Sequence, residues 1–280
     1  MKISNLISHP LNMSRLPRSL TELILYSDFN QHLTNLPPSL TALTVSSFAY
    51  PFTVHHSALK RLYLHESSSL ANLPYPQLRE LTLGSINDAG LASINSDNFP
   101  NLEKLVAGFI QTTGIGHIDL STLPSSLTRL EMNPHRNVVS LPSNVQSLSI
   151  SCLMVEPDWS RLWSPDTSLH TLAIDNYSPS LNDGDIPLSV TYLELNNDGS
   201  IDFDNMTLPS INSLSLRGCS NEYLLNVLEQ LPKTIGRLDF EVNYVPYNFR
   251  RITSTLFLNI RPNFGQSGFI RLDDIQSFIN

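Results

Sequence analysis

Histidines are the residues of this chain whose type and spacing come nearest to a chemical site. His55, His56 and His65 lie close together in sequence, and Glu66 follows the last of them. A zinc site needs three or four ligands at suitable spacings, and no cysteine or further carboxylate joins this group. The first two histidines also directly precede an apolar motif that we interpret below as a strand. We therefore interpret them as part of an exposed turn and predict no metal site.

The remaining candidates for chemistry are equally incomplete. Asp183, Gly184 and Asp185 match half of a calcium-binding loop but lack the carboxylate that closes such a loop. The sequence contains no glycine-rich phosphate loop, no G-x-S-x-G nucleophile motif and no H-E-x-x-H zinc motif. An enzyme needs a nucleophile and a base that act together, and no spacing here indicates such a pair. We therefore expect no enzymatic activity and no cofactor.

Composition argues against several classes of partner. The chain has 280 residues, of which 41% are hydrophobic and 15% are charged, and its formal net charge is -8. An acidic chain without runs of lysine or arginine lacks the basic footprint of a nucleic-acid-binding protein. No apolar stretch is long enough to span a bilayer, and the N-terminus lacks the apolar core of a signal peptide. We therefore expect neither a nucleic-acid partner nor a membrane partner.

The two cysteines indicate the cellular compartment. Cys152 and Cys219 lie three repeats apart, which is about 15 Å at the strand spacing of a sheet and too far for a disulfide. Cysteines without a disulfide framework are typical of a reducing compartment. The sequons at Asn12, Asn176 and Asn205 point towards secretion, but we interpret them as coincidental in a chain rich in Ser and Asn. We predict an intracellular protein, cytoplasmic or nuclear.

The elements that must position these residues come from a repeated motif. The string L-P-x-S-L-T-x-L occurs at residues 16–23, 36–43 and 123–130. Its core, L-x-x-L-x-L, is the strand signature of a leucine-rich repeat, and about eleven copies recur at a mean spacing of roughly 21 residues. Their first apolar positions are Leu20, Leu40, Leu59, Leu78, Leu102, Leu127, Val145, Leu169, Val190, Ile211 and Ile235.

This repetition predicts an α/β solenoid. We expect a curved leucine-rich-repeat array with a parallel, concave β-sheet and a mostly irregular, partly helical convex side. The first, fourth and sixth residues of each motif point into a core that only stacked repeats can bury. Proline donates no backbone hydrogen bond, so the Leu-Pro step belongs to the segment before each strand. We predict one solenoid over residues 1–280, with regular repeats over 16–242 and a C-terminal repeat and cap over 243–280.

Differences in repeat length predict departures from the regular pattern. Helices are expected mainly in two long repeats, at residues 89–94 and 223–230, where apolar residues recur at helical spacing. Degenerate repeats are expected at Ile3 and Leu6 and at residues 255–260. In the last segment we interpret aromatic residues and arginines as a cap over the open end of the core. These residues are Tyr244, Tyr247, Phe249, Arg250, Arg251 and Arg261.

The first regular repeat, at residues 20–37, resembles a known subfamily of leucine-rich repeats. Its sequence, LTELILYSDFNQHLTNLP, resembles the FNIP repeat, which is named for a Phe-Asn-x-Pro core. Phe29, Asn30 and Gln31 match that core, and His32 stands where proline is usual. Residues 48–52, FAYPF, are similar to the same core but match it less well.

Another repeat resembles the cysteine-containing leucine-rich repeat of F-box proteins, in which a D-x-G-L helix precedes C-P-N-L-x-x-L. The matching residues are Asp88, Gly90, Leu91, Pro100, Asn101, Leu102 and Leu105, with Phe99 in place of the cysteine. F-box proteins often carry both subfamilies. The resemblance therefore implies the substrate-recognition part of an F-box-type ubiquitin-ligase adaptor. Such an adaptor would contact ubiquitin-ligase components through regions outside this chain, which contains no F-box.

Two alternatives to an adaptor stay open. The L-P-x-S-L-T-x-L repeats are also similar to those of secreted bacterial effectors, some of which carry a ubiquitin-ligase domain with a catalytic Cys-x-Asp motif. Neither Cys152 nor Cys219 fits that motif. The first alternative is therefore a leucine-rich-repeat effector of a pathogen that lacks this domain. The second is a structural subunit of a larger protein assembly.

The predicted concave face is the main candidate for function. The third, fifth and seventh motif positions point away from the core, and tyrosine and arginine, which recur there, are enriched at protein interfaces. We predict a protein-protein interaction module that binds its partner on this face, with Arg61 and Tyr63 as anchors beside Glu80. The predicted protein-binding residues are Tyr26, Arg61, Tyr63, His65, Glu80, Lys104, Arg129, Glu131, Tyr192, Glu194, Arg217 and Arg237.

Overall fold

Two compact units make up the chain, and each is built from stacked repeats. We call residues 1–145 the N-terminal unit and residues 146–280 the C-terminal unit. That both belong to one solenoid stays a prediction. The computed structural model describes residues 1–3, 13–26, 33–46, 56–65, 74–111, 117–134, 137–151, 159–164, 166–175, 181, 183–196, 210–242, 245–260 and 267–279.

The N-terminal unit forms a parallel sheet with one strand from each repeat. The strands, in spatial order, are β1 (Lys2–Ile3), β2 (Glu22–Leu25), β3 (Ala42–Val45), β4 (Arg61–Leu64), β5 (Glu80–Asn87), β6 (Lys104–Gln111) and β8 (Arg129–Pro134). A separate two-stranded sheet, which was not predicted, pairs β7 (Ile118–Asp119) with β9 (Val138–Ser140). Leu62, Leu81 and Leu105 share one register row, as the motif predicts. β1 confirms a strand at Ile3, whereas Leu6 lies outside the described residues.

The C-terminal unit starts with the same parallel arrangement and ends with a different one. Its parallel strands are β10 (Ser147–Ser151), β11 (Thr171–Asp175), β12 (Tyr192–Asn196), β13 (Ser213–Arg217) and β14 (Arg237–Val242). Three antiparallel strands follow, β15 (Val245–Arg251), β16 (Leu256–Ile260) and β17 (Gly268–Arg271).

The repeat expected at residues 255–260 is therefore wrong in its topology. β16 covers most of this segment, but it pairs antiparallel with both of its neighbours. The cause is the length of the connections, because two residues separate β14 from β15 and four separate β15 from β16. A parallel crossover needs a dozen residues or more, so connections this short form hairpins.

Helices are short and few in the described part of the chain. They are α1 (Asp88–Ser93), α2 (Trp159–Leu162), α3 (Asn221–Glu229) and α4 (Leu272–Ile279). α1 and α3 confirm the helices expected in the two long repeats. The side chain of Asn87 accepts a hydrogen bond from the amide of Gly90 at 2.9 Å, which caps the start of α1. α2 and α4 were not predicted. α2 has only four residues, too few for helical periodicity to stand out, and the segment of α4 was interpreted only as part of the cap.

A turn and two hydroxyl groups explain the recurrent L-P-x-S-L-T string. The amide of Leu40 donates to the carbonyl of Pro37 at 3.0 Å, and the same turn bond precedes β2, β8 and β12. The hydroxyl of Ser39 donates to the carbonyl of Leu20 in the preceding repeat at 2.9 Å. The hydroxyl of Thr41 donates to the threonine carbonyl one repeat earlier at 3.1 Å. Ser126 and Thr128 make the same contacts, so the copies at residues 36–43 and 123–130 each tie their repeat to the one before it.

The core changes from aliphatic to aromatic towards the C-terminal end. The motif leucines are buried along the parallel strands of both units. At the antiparallel end the Phe240 ring stacks on Tyr247 and Phe249 with centroid distances of 5.4 and 5.3 Å. Phe249 in turn meets the Phe257 ring edge-on at 6.4 Å. Aromatic rings fill the wider space beyond the last parallel repeat.

Arg251 links the antiparallel strands to the segment that precedes β14, the last parallel strand. Its guanidinium lies 4.7 Å from the centroid of the Phe257 ring. It also donates hydrogen bonds to the carbonyls of Ile235 at 2.7 Å, Ser254 at 2.9 Å and Pro232 at 3.2 Å. Of the other predicted cap residues, Tyr244 and Arg261 lie outside the described residues.

Candidate functional site

Alternation along the strands separates a buried face from an open one. In β4, Leu62 and Leu64 are buried, whereas Arg61 and Tyr63 are exposed. A similar alternation runs along β2, β10, β11 and β12. We call the side of each sheet that is turned away from the core its open sheet face. Ten of the twelve predicted binding residues lie in strands on this face, and Tyr26 and His65 directly follow β2 and β4.

Charged residues form one row across the open sheet face of the N-terminal unit. The row consists of Glu22, Ala42, Arg61, Glu80, Lys104 and Arg129, in register from β2 to β8. Lys104 reaches diagonally to Glu131, with 2.6 Å between Nζ and Oε1. Arg61 and Glu80 lie directly opposite each other, but no ion pair or hydrogen bond joins these two described residues. Glu80 therefore lies near Arg61, but it does not hold the guanidinium through the contact that we expected.

A second row beside it is mainly β-branched and aromatic. It consists of Ile24, Thr44, Tyr63, Thr82 and Val106, in register from β2 to β6. Tyr63 is 36% exposed and stands between two threonines, and Tyr26 at the end of β2 is 38% exposed. An apolar stripe bordered by charges is the arrangement that buries well against a protein partner.

His65 lies beside two glycines whose backbones closely approach their neighbours. A Cβ added to Gly84 would lie 1.9 Å from the carbonyl oxygen of His65, and one added to Gly108 would lie 2.5 Å from that of Gly84. Both positions therefore need glycine for the close approach of one backbone to the next. The open sheet face next to His65 is consequently bare backbone.

In the C-terminal unit the predicted residues form a connected network. Tyr192 donates its hydroxyl hydrogen to Oε2 of Glu194 at 2.8 Å, and Nε of Arg217 lies 3.2 Å from Oε1 of the same carboxylate. Burial and the hydrogen bond with Glu194 raise the pKa of Tyr192. One carboxylate therefore positions a phenol and a guanidinium on two neighbouring strands.

Arg237 belongs to a second ion-pair group that the sequence did not reveal in full. Its Nε donates to Oδ2 of Asp239, and Nη1 of Arg250 lies 4.0 Å from Oδ1 of that carboxylate. Arg250 lies opposite Arg237 in the antiparallel pair of β14 and β15. A cleft of about 210 Å³ between β12 and β15 is lined by both groups, including Tyr192, Arg217, Arg237 and Asp239.

Ser215 lines this cleft, and Ser213 precedes it on the same face of β13. Ser213 and Ser215 occupy outward positions of β13, yet they are only 8% and 2% exposed. Tyr192 and Arg237 flank Ser213 in the register, and Glu194 and Asp239 flank Ser215. Small side chains between long ones produce a groove across the ladder. The sequence shows the small residues, but not that their neighbours cover them.

The motifs examined for metal chemistry do not assemble in the described part of the chain. Nε2 of His56 lies 2.8 Å from the carbonyl oxygen of Pro37, which joins two consecutive turns, whereas His55 and Glu66 lie outside the described residues. Gly184 has a φ of 88°, as a turn requires. No group of three His, Cys, Asp or Glu side chains among the described residues is arranged to hold a metal ion.

Cys152 lies outside the described residues. The thiol of Cys219 donates a hydrogen bond to the carbonyl of Arg217 at 3.4 Å. None of the helices in the described ranges has the length and apolar character needed to cross a membrane.

Comparison with known proteins agrees with the repeat assignment. The FNIP Repeat family model matches residues 8–54, which include both stretches that resemble this family. A crystal structure of CroV588, described as a novel circular LRR protein structure, is similar with 19% sequence identity and a TM-score of 0.38. The match covers 82% of this chain and 44% of that one, so the chain spans less than half of its length. Comparison with curated proteins gives no match.

The class of protein follows from these observations. Strands with the L-x-x-L-x-L register and the FNIP match over residues 8–54 define a leucine-rich-repeat protein. The predicted leucine-rich-repeat protein with an FNIP-like stretch and the predicted solenoid class with a parallel sheet are confirmed, whereas the resemblance to the F-box type stays a prediction. The residues Phe29 to His32, on which the resemblance was based, lie outside the described ranges.

Proposed function

We propose that this chain is a protein-interaction module that binds its partner on the open sheet face. The observation that carries the proposal is the pair of rows in the N-terminal unit, where the exposed Tyr63 stands in an apolar stripe next to Arg61. Repeat folds of this kind suit protein binding because stacked strands present side chains at regular spacing over a broad surface. Binding rather than catalysis is proposed, since no motif in the sequence supports an enzyme.

The chemistry of these rows explains why Arg61 and Tyr63 are the proposed anchors. Tyrosine and arginine supply most of the large effects at protein interfaces, because they combine apolar area with directional hydrogen bonds. Neither side chain is part of the core, so both remain available to a partner. The guanidinium of Arg61 makes no ion pair with Glu80, so a carboxylate of a partner would meet no competition from that residue.

A narrower proposal is that the module receives substrates for an F-box-type ubiquitin-ligase adaptor inside the cell. It is supported only by resemblance, at the FNIP-like repeat and at the repeat that contains α1. In that repeat Asp88 is the first residue of α1, and Phe99, which replaces the usual cysteine, is fully buried and stacks on Tyr75 at 5.5 Å. Ubiquitin-ligase components among the binding partners of the protein would support this role.

The test begins with the full chain as bait and quantitative mass spectrometry of the proteins it captures. The most enriched partner is then purified and bound again, and hydrogen exchange locates the residues that it protects. Protection of the strands on an open sheet face supports the proposal, whereas protection confined to the turns and helices contradicts it. Light scattering of the isolated chain separates the rival role, because a structural subunit is expected to be insoluble or aggregated alone.

A further inference from the structure

A single register row runs across the open sheet face of the C-terminal unit, from the parallel strands into the antiparallel ones. It contains Tyr192, Ser213, Arg237, Arg250, Leu258 and Phe269 on strands β12 to β17. At about 4.8 Å per strand, six strands place the ends of the row about 24 Å apart. This is the length of roughly seven extended residues.

Two guanidinium groups lie at the first half of the row, Arg237 within it and Arg217 on the same cleft beside it. Arg217 and Arg237 bind Glu194 and Asp239 through Nε, and these arginine side chains are 59% and 44% exposed. The carboxylates lie deeper, at 22% and 16% exposure. Each arginine side chain is therefore more exposed than the carboxylate with which it is paired. A planar guanidinium matches a carboxylate geometrically, so the surface favours a carboxylate-bearing ligand.

Arg250 adds a guanidinium that is not fully used within the chain. Its Nη1 is buried and has no hydrogen-bond partner among the described residues, and it lies 4.0 Å from the equally buried Oδ1 of Asp239, which also has none. The side chain is 37% exposed. The half-buried side chain can therefore turn towards an incoming acceptor without breaking a hydrogen bond to a described residue.

The second half of the row is apolar. Leu258 lies directly opposite Arg250, and Phe269 lies directly opposite Leu258. Phe269 is 70% exposed and Ile260, one row away, is 39% exposed. Large apolar side chains left in solvent next to arginines are typical of protein-binding surfaces.

We propose that this row docks an extended protein segment of about seven residues. The segment presents a carboxylate to Arg217, Arg237 and Arg250 and an apolar side chain to Leu258 and Phe269. The carboxylates beneath the arginines and the net charge of -8 disfavour a polyanion such as nucleic acid. The inference rests on the proposed protein-binding function and names a second site for it, together with the chemistry of the partner.

Selection of random heptapeptides on the full chain, by peptide display, tests the site. We expect enriched peptides that carry Asp or Glu next to an apolar residue. A synthetic enriched peptide should bind at least ten-fold more tightly than its isostere, in which Asn or Gln replaces the acid. Arg250→Gln should weaken binding by a similar factor, and Phe269→Ser should also weaken it. Arg79→Gln, at an exposed ion pair before β5, is the matched control and should bind as the parent does.

Three outcomes would overturn the proposed site. They are an absence of enriched peptides, equal binding of the acid and its isostere, and unchanged binding by Arg250→Gln. Circular dichroism of each variant confirms the fold, so a loss of binding cannot come from unfolding. The broader proposal fails separately, when a captured partner protects neither open sheet face in hydrogen exchange.

Discussion

The open sheet faces of the two units differ in how their polar side chains are held. In the N-terminal unit, Lys104 and Glu131 form an ion pair, but Arg61 and Glu80 lie opposite each other without one. In the C-terminal unit, Glu194 holds both Tyr192 and Arg217. Both faces are built from the same repeat motif. The parallel ladder therefore determines where the side chains lie, whereas ion pairs and hydrogen bonds between side chains determine how strongly their conformations are restricted.

This difference has consequences for binding. A partner of the N-terminal face must order the long side chain of Arg61, which costs about 1 kcal/mol in lost rotamer freedom. In the C-terminal unit the network already restricts Tyr192 and Arg217, so less order is lost when a partner binds. The same repeat motif can therefore form both an adaptable surface and a preorganised one.

The largest expected effect is a loss of stability when the core beneath the two faces is disrupted. Leu105 is 1% exposed and Leu193 is fully buried. Leu105→Asp and Leu193→Asp should each lower the free energy of unfolding by about 4 kcal/mol, because each places a charge among aliphatic side chains. Denaturation in urea measures the loss. Val106→Asp on the open sheet face is the control, with an expected loss of about 1 kcal/mol.

A melting temperature of Leu105→Asp within roughly 2 °C of the parent would show that the assigned register of β6 is wrong.

The next largest effect is a difference in stability between variants of two adjacent arginines of the C-terminal unit, Arg250 and Arg251. Arg251→Ala should lower the free energy of unfolding by about 2 kcal/mol, because it removes three hydrogen bonds to carbonyls and the contact with Phe257. Arg250→Ala should cost less than about 0.5 kcal/mol, because no hydrogen bond to a described residue is lost. Urea denaturation measures both losses. Similar losses would contradict the assignment of Arg251 to stabilising the C-terminal end and of Arg250 to binding a ligand.

The repeat architecture was predictable from the sequence because its cause is local and repeated. Leucine at fixed spacing determines which side of each strand is buried, and the structure confirms this register at Leu62, Leu81 and Leu105. The helices α1 and α3 were predictable for a similar reason, since their apolar residues recur at helical spacing.

The C-terminal network could not be read from the motif alone. Arg250 lies opposite Arg237 only because β15 runs antiparallel to β14, and the motif carries no information on that pairing. The two-residue connection after Val242 was the signal that would have indicated a hairpin. Burial of Ser215 could not be read either, because it depends on long neighbouring side chains from two other strands.

A smaller effect probes the preorganised face directly. Glu194→Gln should lower the pKa of Tyr192, because the variant removes a carboxylate that raises this pKa, while burial, the larger cause, remains. In the parent the raised pKa stabilises the fold below the ordinary tyrosine pKa of 10.0, and this contribution is lost as the pH rises through the folded-state pKa. Ultraviolet absorbance during an alkaline titration, with Tyr192→Phe for assignment, measures the shift. An unchanged titration would contradict the network.

The smallest effect concerns a carboxylate away from both faces. Asp119 accepts hydrogen bonds from the hydroxyl of Ser140 and the amide of Ser121, and these bonds lower its pKa. Ser140→Ala should raise the pKa of Asp119 towards its ordinary value. The lowered pKa contributes stability above the unfolded-state pKa, and this contribution is lost as the pH falls through the folded-state value. Carbon NMR of the carboxyl group during acid titration tests this, and no change would contradict the assignment.

Partner binding by a double variant of the N-terminal face tests the central claim most directly. Arg61→Ala combined with Tyr63→Ala removes two exposed side chains without touching the core. Arg79→Ala combined with Glu103→Ala is the matched control, because it removes an exposed ion pair that precedes β5 and β6. The measurement is the dissociation constant for the purified partner by calorimetry. We expect the face variant to bind at least about 30-fold more weakly, which is about 2 kcal/mol, and the control to bind as the parent does. Unchanged binding by the face variant, with binding lost in the control, would contradict the assignment of recognition to the open sheet face.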